Sequence, residues 1–311
     1  MATAENTHGM IAVDKVGGKV LFLNSATYAT EVVIDGFPRT VHELLVMPEA
    51  GLAYVPIFGD GIHGRNPNPG HLIAVIDLTK RAHIRDIDLR PYIAPHTLRR
   101  GPDGLVYITC ENSAVVAVID PASHKPVEVI DSGSTNGHRL VISSVGRRLY
   151  TENEEDATVS VIDLPNRKLT GKIATPRPLA GIALSGDDRT VVAVDDVEPA
   201  LFLIDTARES VIATVPLAGV AEAAQIARYS PDFRLLGVTS LKSDTVSLID
   251  PSFREQAAIK VGRQPMDMAF RGDELFVACQ GDGSVHVIDI PQARVKHSFQ
   301  AGTGCESLGF F

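Results

Sequence analysis

The chain has 311 residues, of which 44% are hydrophobic and 22% are charged. This composition provides enough apolar material for a large core and argues against general disorder. The formal net charge is −9 and no block of Lys or Arg occurs, so we expect neither a nucleic-acid partner nor an anionic membrane partner.

A short apolar run that ends in Ile-Asp recurs along the chain. The run VLFLN, which ends at Asn24, is a degenerate first copy. The steps between successive copies are 53, 43, 43, 42, 45 and 39 residues. A period of about 40–45 residues fits units of four strands and not a helical solenoid. The six complete copies end at Asp77, Asp120, Asp163, Asp205, Asp250 and Asp289.

The interior of one unit agrees with four strands. In residues 138–174, HRLVIS, LYTEN, TVSVIDL and KLTGKIA read as strands that are separated by a turn, a polar loop and a second turn. Val, Ile and Thr dominate their apolar positions, as a pleated surface prefers. The sequence therefore predicts an all-β, seven-bladed β-propeller with four antiparallel strands per blade.

The two ends of the chain predict how the ring closes. The segment MIAVDK near the start matches the second strand of a unit, and ESLGFF at the end matches only the first strand. We expect residues 305–311 to supply the innermost strand of the blade whose outer three strands lie in residues 9–35. This pairing would remove a free sheet edge. No linker is evident, so residues 1–311 are predicted to form a single domain.

The repeated pattern of an apolar strand, a turn such as SPDG, an LYV-like strand and a VxVID strand resembles that of the YVTN/YncE family of seven-bladed propellers. The resemblance covers nearly the whole chain. It implies the propeller fold, and it is weak for function because one fold hosts many chemistries. YncE-like proteins resemble binding scaffolds, so a non-catalytic scaffold is one functional alternative.

The first residue of each inner strand is predicted to lie near one mouth of the central channel. Three histidines fall at this position on adjacent blades, and neutral imidazoles that converge from several strands commonly hold a first-row metal ion. We therefore predict a divalent metal ion on His42, His96 and His138, with Glu306 or Gln225 as a further ligand. The pattern does not distinguish Mn, Fe, Zn, Ni or Ca. Polar lining that binds water, and metal-free acid–base or substrate-binding use, are the alternatives. The seven ring positions are Glu306, His42, His96, His138, Ala180, Gln225 and Met266.

A long loop, FGDGIHGRNPNPGH (58–71), is expected on the same rim as the histidines. Long loops on rigid scaffolds commonly carry function. His63 and His71 are candidates for a fourth ligand or for a general acid or base. Arg65 and Arg139 are candidates for binding a substrate carboxylate, and Gln225 is a further candidate for binding the substrate. The alternative is a polar surface loop, and the acidic residues Glu111 and 152–156 are interpreted as solvated turns of this rim.

The ring also resembles that of the oligogalacturonate lyases, which are seven-bladed propellers that hold a divalent ion with three histidines and a glutamine. This resemblance implies ligand roles for His42, His96, His138 and Gln225. The present chain is shorter than those lyases and shares no motif with them beyond the ring, so their substrate is not carried over.

These residues predict a metal-dependent enzyme that acts at the channel mouth on a small organic acid or a sugar-derived substrate. A metal ion would polarise a carboxylate or carbonyl, and Glu306, His63 or His71 would remove the adjacent proton, as in a lyase or isomerase. The streptogramin lyases resemble this logic. Hydrolysis of a lactone by metal-activated water and redox chemistry on iron or copper are alternatives.

Three isolated cysteines indicate neither a disulfide framework nor a zinc ribbon. No apolar run approaches the roughly 18–20 residues that span a bilayer, and the first residues do not resemble a secretory signal. We expect a cytoplasmic protein, or a periplasmic one if a signal peptide has been removed. The expected partner is a small-molecule substrate, and the oligomeric state is left open.

Overall fold

The computed structural model describes residues 9–38, 40–61 and 65–311, and it folds them into seven four-stranded antiparallel sheets. The predicted seven-bladed propeller is therefore confirmed. Within the described ranges there is no α-helix, and the two short 3-10 turns are Pro48–Ala50 and Glu154–Asp156. No helix in this part of the chain is long and apolar enough to cross a membrane.

The strands are numbered β1–β28 along the chain. Blade 1 contains β1 (Met10–Asp14), β2 (Lys19–Leu23), β3 (Thr30–Ile34) and β28 (Cys305–Phe310). Blade 2 contains β4 (Leu45–Met47), β5 (Leu52–Gly59), β6 (Pro69–Asp77) and β7 (Ala82–Asp88). Blade 3 contains β8 (Pro95–Arg100), β9 (Val106–Cys110), β10 (Val115–Asp120) and β11 (Lys125–Asp131). Blade 4 contains β12 (Leu140–Ile142), β13 (Arg148–Glu152), β14 (Thr158–Asp163) and β15 (Lys168–Ala174).

The remaining three blades follow the same plan. Blade 5 contains β16 (Leu179–Leu184), β17 (Thr190–Asp195), β18 (Ala200–Asp205) and β19 (Ser210–Pro216). Blade 6 contains β20 (Ile226–Tyr229), β21 (Leu236–Ser240), β22 (Thr245–Ile249) and β23 (Glu255–Lys260). Blade 7 contains β24 (Pro265–Arg271), β25 (Glu274–Cys279), β26 (Ser284–Asp289) and β27 (Arg294–Gln300).

The ring closes through strand pairing between the two ends of the chain, as predicted. Strand β28 pairs antiparallel with β1, from Met10 opposite Phe310 to Asp14 opposite Cys305. The buried carboxylate of Asp14 strengthens this closure because it accepts hydrogen bonds from the backbone N–H groups of Thr303 and Gly304, at 2.9 and 2.8 Å. The closing strand is therefore held by backbone pairing with β1 and by hydrogen bonds from the two residues before its start to the side chain of Asp14.

The hydrophobic core lies between neighbouring blades. In one cluster, Met47 and Tyr54 of blade 2 pack with Leu98 and Ile108 of blade 3, and all four are buried. The β-branched and aromatic residues of the three inner strands of each blade supply this contact, while the outermost strands are mostly exposed or half-buried, with one buried isoleucine in each of β7, β11, β15 and β23. Burial of apolar surface on both faces of each sheet holds the inner strands in a fixed register around the channel.

The repeated Ile-Asp signature stabilises the turn between the third and fourth strands. The carboxylate of Asp77 accepts hydrogen bonds from the backbone N–H groups of Thr79 and Lys80, at 3.0 and 2.7 Å. Asn24 makes the equivalent bonds to Ala26 and Thr27, both at 2.9 Å, so the degenerate first copy forms the same turn. Short polar side chains that bond the backbone in this way are typical of Asx turns.

Candidate metal centre

The three ring histidines occupy equivalent positions at the starts of three adjacent inner strands. His42, His96 and His138 each lie three residues before the residue that pairs with Tyr54, Tyr107 or Tyr150 of the next strand. Their side chains meet, with ring centroids 4.1 Å apart for His42 and His96 and 4.0 Å apart for His96 and His138. All three residues are 5% exposed or less. The structure thus brings together the histidines that the repeat alignment selected.

The inner nitrogen atoms of His96 and His138 meet at Glu111, and that of His42 contacts that of His96. Nε2 of His42 and Nε2 of His96 face each other. Nε2 of His96 and Nε2 of His138 both approach Oε1 of Glu111, at 3.8 and 3.9 Å. Bonds of 2.0–2.2 Å to a common ion would separate ligand atoms by about 3–4 Å. The arrangement therefore suits a single small ion.

The outer nitrogen atom of each ring is held by an oxygen. Nδ1 of His42 lies 2.8 Å from Oε1 of Glu306, and Nδ1 of His138 lies 2.7 Å from Oε1 of Glu152. Nδ1 of His96 lies 3.1 Å from Oγ1 of Thr97. A histidine that donates from Nδ1 presents an unprotonated Nε2, which is the form that binds a metal ion.

Glu111 supplies a carboxylate inside the cluster, which the sequence interpretation missed. It directly follows β9 and is 1% exposed, so its placement among solvated turns is wrong. His96, Glu111 and His138 form a group whose ligand atoms all lie within 4.8 Å of one another. Strand β9 runs antiparallel to β8, and its end returns to the rim where the histidines begin, which puts Glu111 beside them.

Glu306 lies at the ring position that the repeat alignment predicted, and its carboxylate contacts Nδ1 of His42. Its Oε1 also accepts a hydrogen bond from Nζ of Lys15 at 2.9 Å. Burial alone would raise the pKa of Glu306, but the nearby His42 and Lys15 outweigh this effect and lower the pKa to about 2. Glu306 is therefore an ionised support for His42. Lys15, at the end of the first hairpin strand, carried no sequence signal for this role.

The environment of His96 favours its neutral form. Burial lowers the pKa of His96 well below its usual value, and the neighbouring His138 and His42 lower it further. Phe58 is buried beside the cluster, with its ring centroid 5.3 Å from that of His42 and 5.5 Å from that of His96. A neutral imidazole next to an aromatic wall is a good donor for a transition metal.

Two other predicted residues lie deeper in or across the channel. Arg139 is buried and contacts Nδ1 of His138 at 3.2 Å and Oε1 of Glu43 at 3.3 Å, so it faces the channel interior. Gln225 is half-buried at its ring position, and its backbone oxygen would lie 2.4 Å from a Cβ added to Gly181. Glycine at position 181 thus permits the close approach of blades 5 and 6.

The loop residues are placed away from the cluster or lie outside the described residues. His71 lies in the half-buried first part of β6 and its Nδ1 lies 3.1 Å from Oδ1 of Asp88. Arg65 is exposed. His63 lies outside the described residues. Within the described chain, the loop therefore brings no ligand to the three histidines, and its roles remain predictions.

Comparison with known proteins defines the family. The Cytochrome D1 heme domain family matches residues 100–308, about two thirds of the chain, and the chain belongs to this family. No curated protein sequence matches it significantly. The match establishes a propeller family, while the narrower resemblance to YVTN/YncE propellers and to oligogalacturonate lyases remains a hypothesis.

Two solved structures share the fold. The chain is similar to Kuenenia stuttgartiensis hydrazine synthase, with a TM-score of 0.73 and 16% identity over 86% of this chain and 88% of that chain. It is also similar to a functionally unknown protein from Desulfotomaculum acetoxidans, with a TM-score of 0.81 and 10% identity over 98% of this chain and 99% of that one. Similarity at such low identity concerns the fold alone.

Proposed function

We propose that the protein binds one divalent first-row metal ion at the channel mouth through His42, His96, His138 and Glu111. We further propose that it is a metal-dependent lyase or isomerase for a small organic acid or a sugar-derived substrate. One observation carries the metal site: the ligand atoms of His96, Glu111 and His138 form one buried group, Nε2 of His42 contacts that of His96, and an oxygen lies beside each Nδ1. Ligating histidines in proteins almost always have this second contact.

The family name implies a heme, and the residues at the channel mouth do not fit one. A macrocycle needs a slot of several hundred Å³ with largely apolar walls. Here the imidazoles contact one another, and the channel cavity that Arg139 and Glu306 line measures about 20 Å³, with charged as well as apolar side chains in its lining. The donor set of three imidazoles and a carboxylate suits a single ion instead.

The ion would supply a Lewis acid that polarises a substrate carbonyl or carboxylate. The protein side chains orient the ligands and shield the site from water. Glu306 and Glu152 fix the ring orientations of His42 and His138. Phe58 shields the cluster from water on one side. Such preorganisation is the usual contribution of a protein to a metal site.

The proton acceptor in this proposal is a histidine of the long loop and not Glu306. Glu306 is a weak base because its pKa is lowered to about 2. Nδ1 of His71 lies 3.1 Å from Oδ1 of Asp88, an arrangement that orients an imidazole. We therefore favour His71 or His63 as the base, with Arg65 as a candidate for a substrate carboxylate.

Metal analysis of the purified protein tests the site. We expect one ion per chain, with no absorbance band of a heme. The triple substitution of His42, His96 and His138 by Ala should remove the ion and leave the far-UV circular dichroism spectrum unchanged. A matched triple substitution of the outer histidines His83, His286 and His297 should leave the ion in place.

Two outcomes would contradict the metal site. One is a protein that carries no ion and gains no thermal stability when Mn, Fe, Zn or Ni is added. The other is a protein that carries one heme per chain. If the triple variant does not fold, the single change His138→Gln and X-ray absorption of the wild-type ion, which counts nitrogen ligands, still decide the question.

Isotope exchange tests the enzymatic part. The metal-loaded protein is incubated in D2O with a panel of small hydroxy, keto and uronic acids, and NMR follows the C–H group next to the carboxylate or carbonyl. Loss of this signal reports proton abstraction, whatever product follows. Absence of exchange for every acid, together with hydrolysis of a lactone panel, would favour metal-activated water instead.

A further inference from the structure

The central channel contains a cluster of arginines that the metal site does not use. Arg139 lies one residue beyond the ring position on its inner strand, and Arg99 and Arg228 lie three residues beyond it on theirs. At about 3.3 Å per residue, these side chains start roughly 3–10 Å below the histidines. All three line one cavity of about 20 Å³.

The carboxylates around this cavity leave one guanidinium without a counter-charge. Arg139 pairs with Glu43 at 3.3 Å, and Arg228 pairs with Asp267 at 2.7 Å. The third lining carboxylate, Glu306, is already bound by Lys15. Within the described chain, Arg99 makes no ion pair, and its side chain donates one hydrogen bond to the backbone carbonyl of Leu98 at 2.8 Å.

The lowered pKa of Arg99 agrees with an excess of positive charge in this cavity. Burial lowers the pKa of Arg99, and the nearby Arg228 and Arg139 add to this effect against the carboxylates of Glu43 and Asp267. An additional negative charge beside Arg99 would be favourable.

We propose that Arg99, Arg139 and Arg228 bind one compact monovalent anion, a halide or a formate-sized carboxylate, in the channel beneath the histidines. A volume of about 20 Å³ holds one water-sized group and excludes larger organic anions. Guanidinium groups offer several fixed donors and suit such an anion. This site is independent of the metal ion and stands if the proposed function fails.

Thermal unfolding in different sodium salts tests the site. Chloride, bromide, formate and gluconate are compared at equal ionic strength, with a chelator present to remove metal. We expect chloride, bromide or formate to raise the Tm in a saturable manner above gluconate, which is too large for the cavity. Saturation by halides but not formate identifies a halide site, and the reverse identifies a carboxylate site. Equal Tm values in all four salts would overturn the proposal.

Bromide diffraction locates the anion. If the unfolding experiment identifies a halide site, a wild-type crystal grown with sodium bromide should show an anomalous peak within hydrogen-bond distance of Arg99. For a carboxylate, density for formate is sought at the same place. Density only at surface arginines would contradict the proposal.

Substitution ties the effect to the channel. Arg99→Met should weaken the saturable anion effect about tenfold or abolish it, and Arg99→Lys should retain part of it. Arg254→Met is the matched control, because Arg254 is exposed and paired with Asp250. It should leave the anion effect unchanged. If Arg99→Met does not fold, the wild-type crystal still decides, and an unchanged anion effect in a folded Arg99→Met overturns the proposal.

Discussion

His138 and Glu152 face each other across the two inner strands of blade 4 and are joined twice. The backbone N–H of His138 donates to the carbonyl of Glu152 at 2.9 Å, and Nδ1 of the His138 ring lies 2.7 Å from Oε1 of Glu152. Both residues are buried. The ladder that places this histidine in the ring therefore also places the carboxylate that orients it.

This pair predicts a loss of metal affinity without a loss of fold. Glu152→Gln keeps the size of the side chain but removes the charge that favours an Nδ1–H donor. We expect the affinity for the ion to fall about 10- to 100-fold, the usual effect of such support residues. Competition with a metal-binding dye measures it. Glu155→Gln, an exposed change three residues away, is the control, and equal affinities for the two variants would contradict the assigned role.

The metal-free protein should lose stability as the pH falls below about 6.5, the ordinary pKa of histidine. Because burial lowers the pKa of His96, the unfolded chain binds a proton that the folded chain does not, and each pH unit costs up to about 1.4 kcal/mol until the folded pKa is reached. Urea unfolding between pH 7 and pH 5 with a chelator measures this slope. His96→Gln should flatten it, and His297→Gln, an exposed change, should not. An identical slope for His96→Gln would remove His96 as its source.

Glu306 predicts a second loss of stability at lower pH. Its pKa is lowered to about 2 in the folded protein, against 4.5 in the unfolded reference. Its ionised form therefore stabilises the fold above pH 4.5, and this stability disappears as the pH falls from 4.5 toward 2. Glu306→Gln should be less stable than wild type at pH 7 and should approach it near pH 3. A constant difference at all pH values would show that the cost is one of packing alone.

The sequence was sufficient to place the ring but not to assign its chemistry. One residue per blade can be counted from a repeat, because a packed sheet fixes the register of every inner strand. His42, His96, His138 and Glu306 were found in this way. Whether a side chain points to the centre of the ring or supports a neighbouring side chain depends on its rotamer and its contacts. The repeat therefore did not predict that Glu306 contacts Nδ1 of His42.

The residues missed by sequence analysis share one property. Glu152 ends the second strand of its blade, Glu111 directly follows the second strand of its own, and Lys15 follows the first strand of the chain. Glu111 and Glu152 were assigned to the rim of the three histidines, but their burial was not predicted, because burial of a charge requires partners that are remote in sequence; Lys15 was not singled out. The partners here are His96, His138 and Glu306. Carboxylates at the ends of second strands are therefore worth testing whenever histidines begin the inner strands.

The closure of the ring predicts a large effect at a residue far from the histidines. Asp14 accepts hydrogen bonds from the backbone N–H groups of Gly17, Thr303 and Gly304, at 2.8–2.9 Å. Asp14→Ala leaves these donors without an acceptor, so we expect a loss of about 2–4 kcal/mol in the free energy of unfolding. Urea titration measures it. The exposed change Asp35→Ala should cost little, and a similarly small cost for Asp14→Ala would show that strand pairing alone closes the ring.

The repeated turn after the Ile-Asp signature predicts a change that stabilises the protein. In six blades the fourth residue after the Asp or Asn has a positive φ, and Ala293 is one of them, at +48°. An L-residue is strained there and glycine is not. Ala293→Gly should therefore raise the free energy of unfolding by about 0.5–1 kcal/mol, measured by urea titration. Ala122 lies two residues after Asp120 in the equivalent turn of blade 3 and does not have a positive φ, so Ala122→Gly should lower stability by a similar amount. Equal effects of the two changes would mean that general flexibility, and not the backbone angle, decides the outcome.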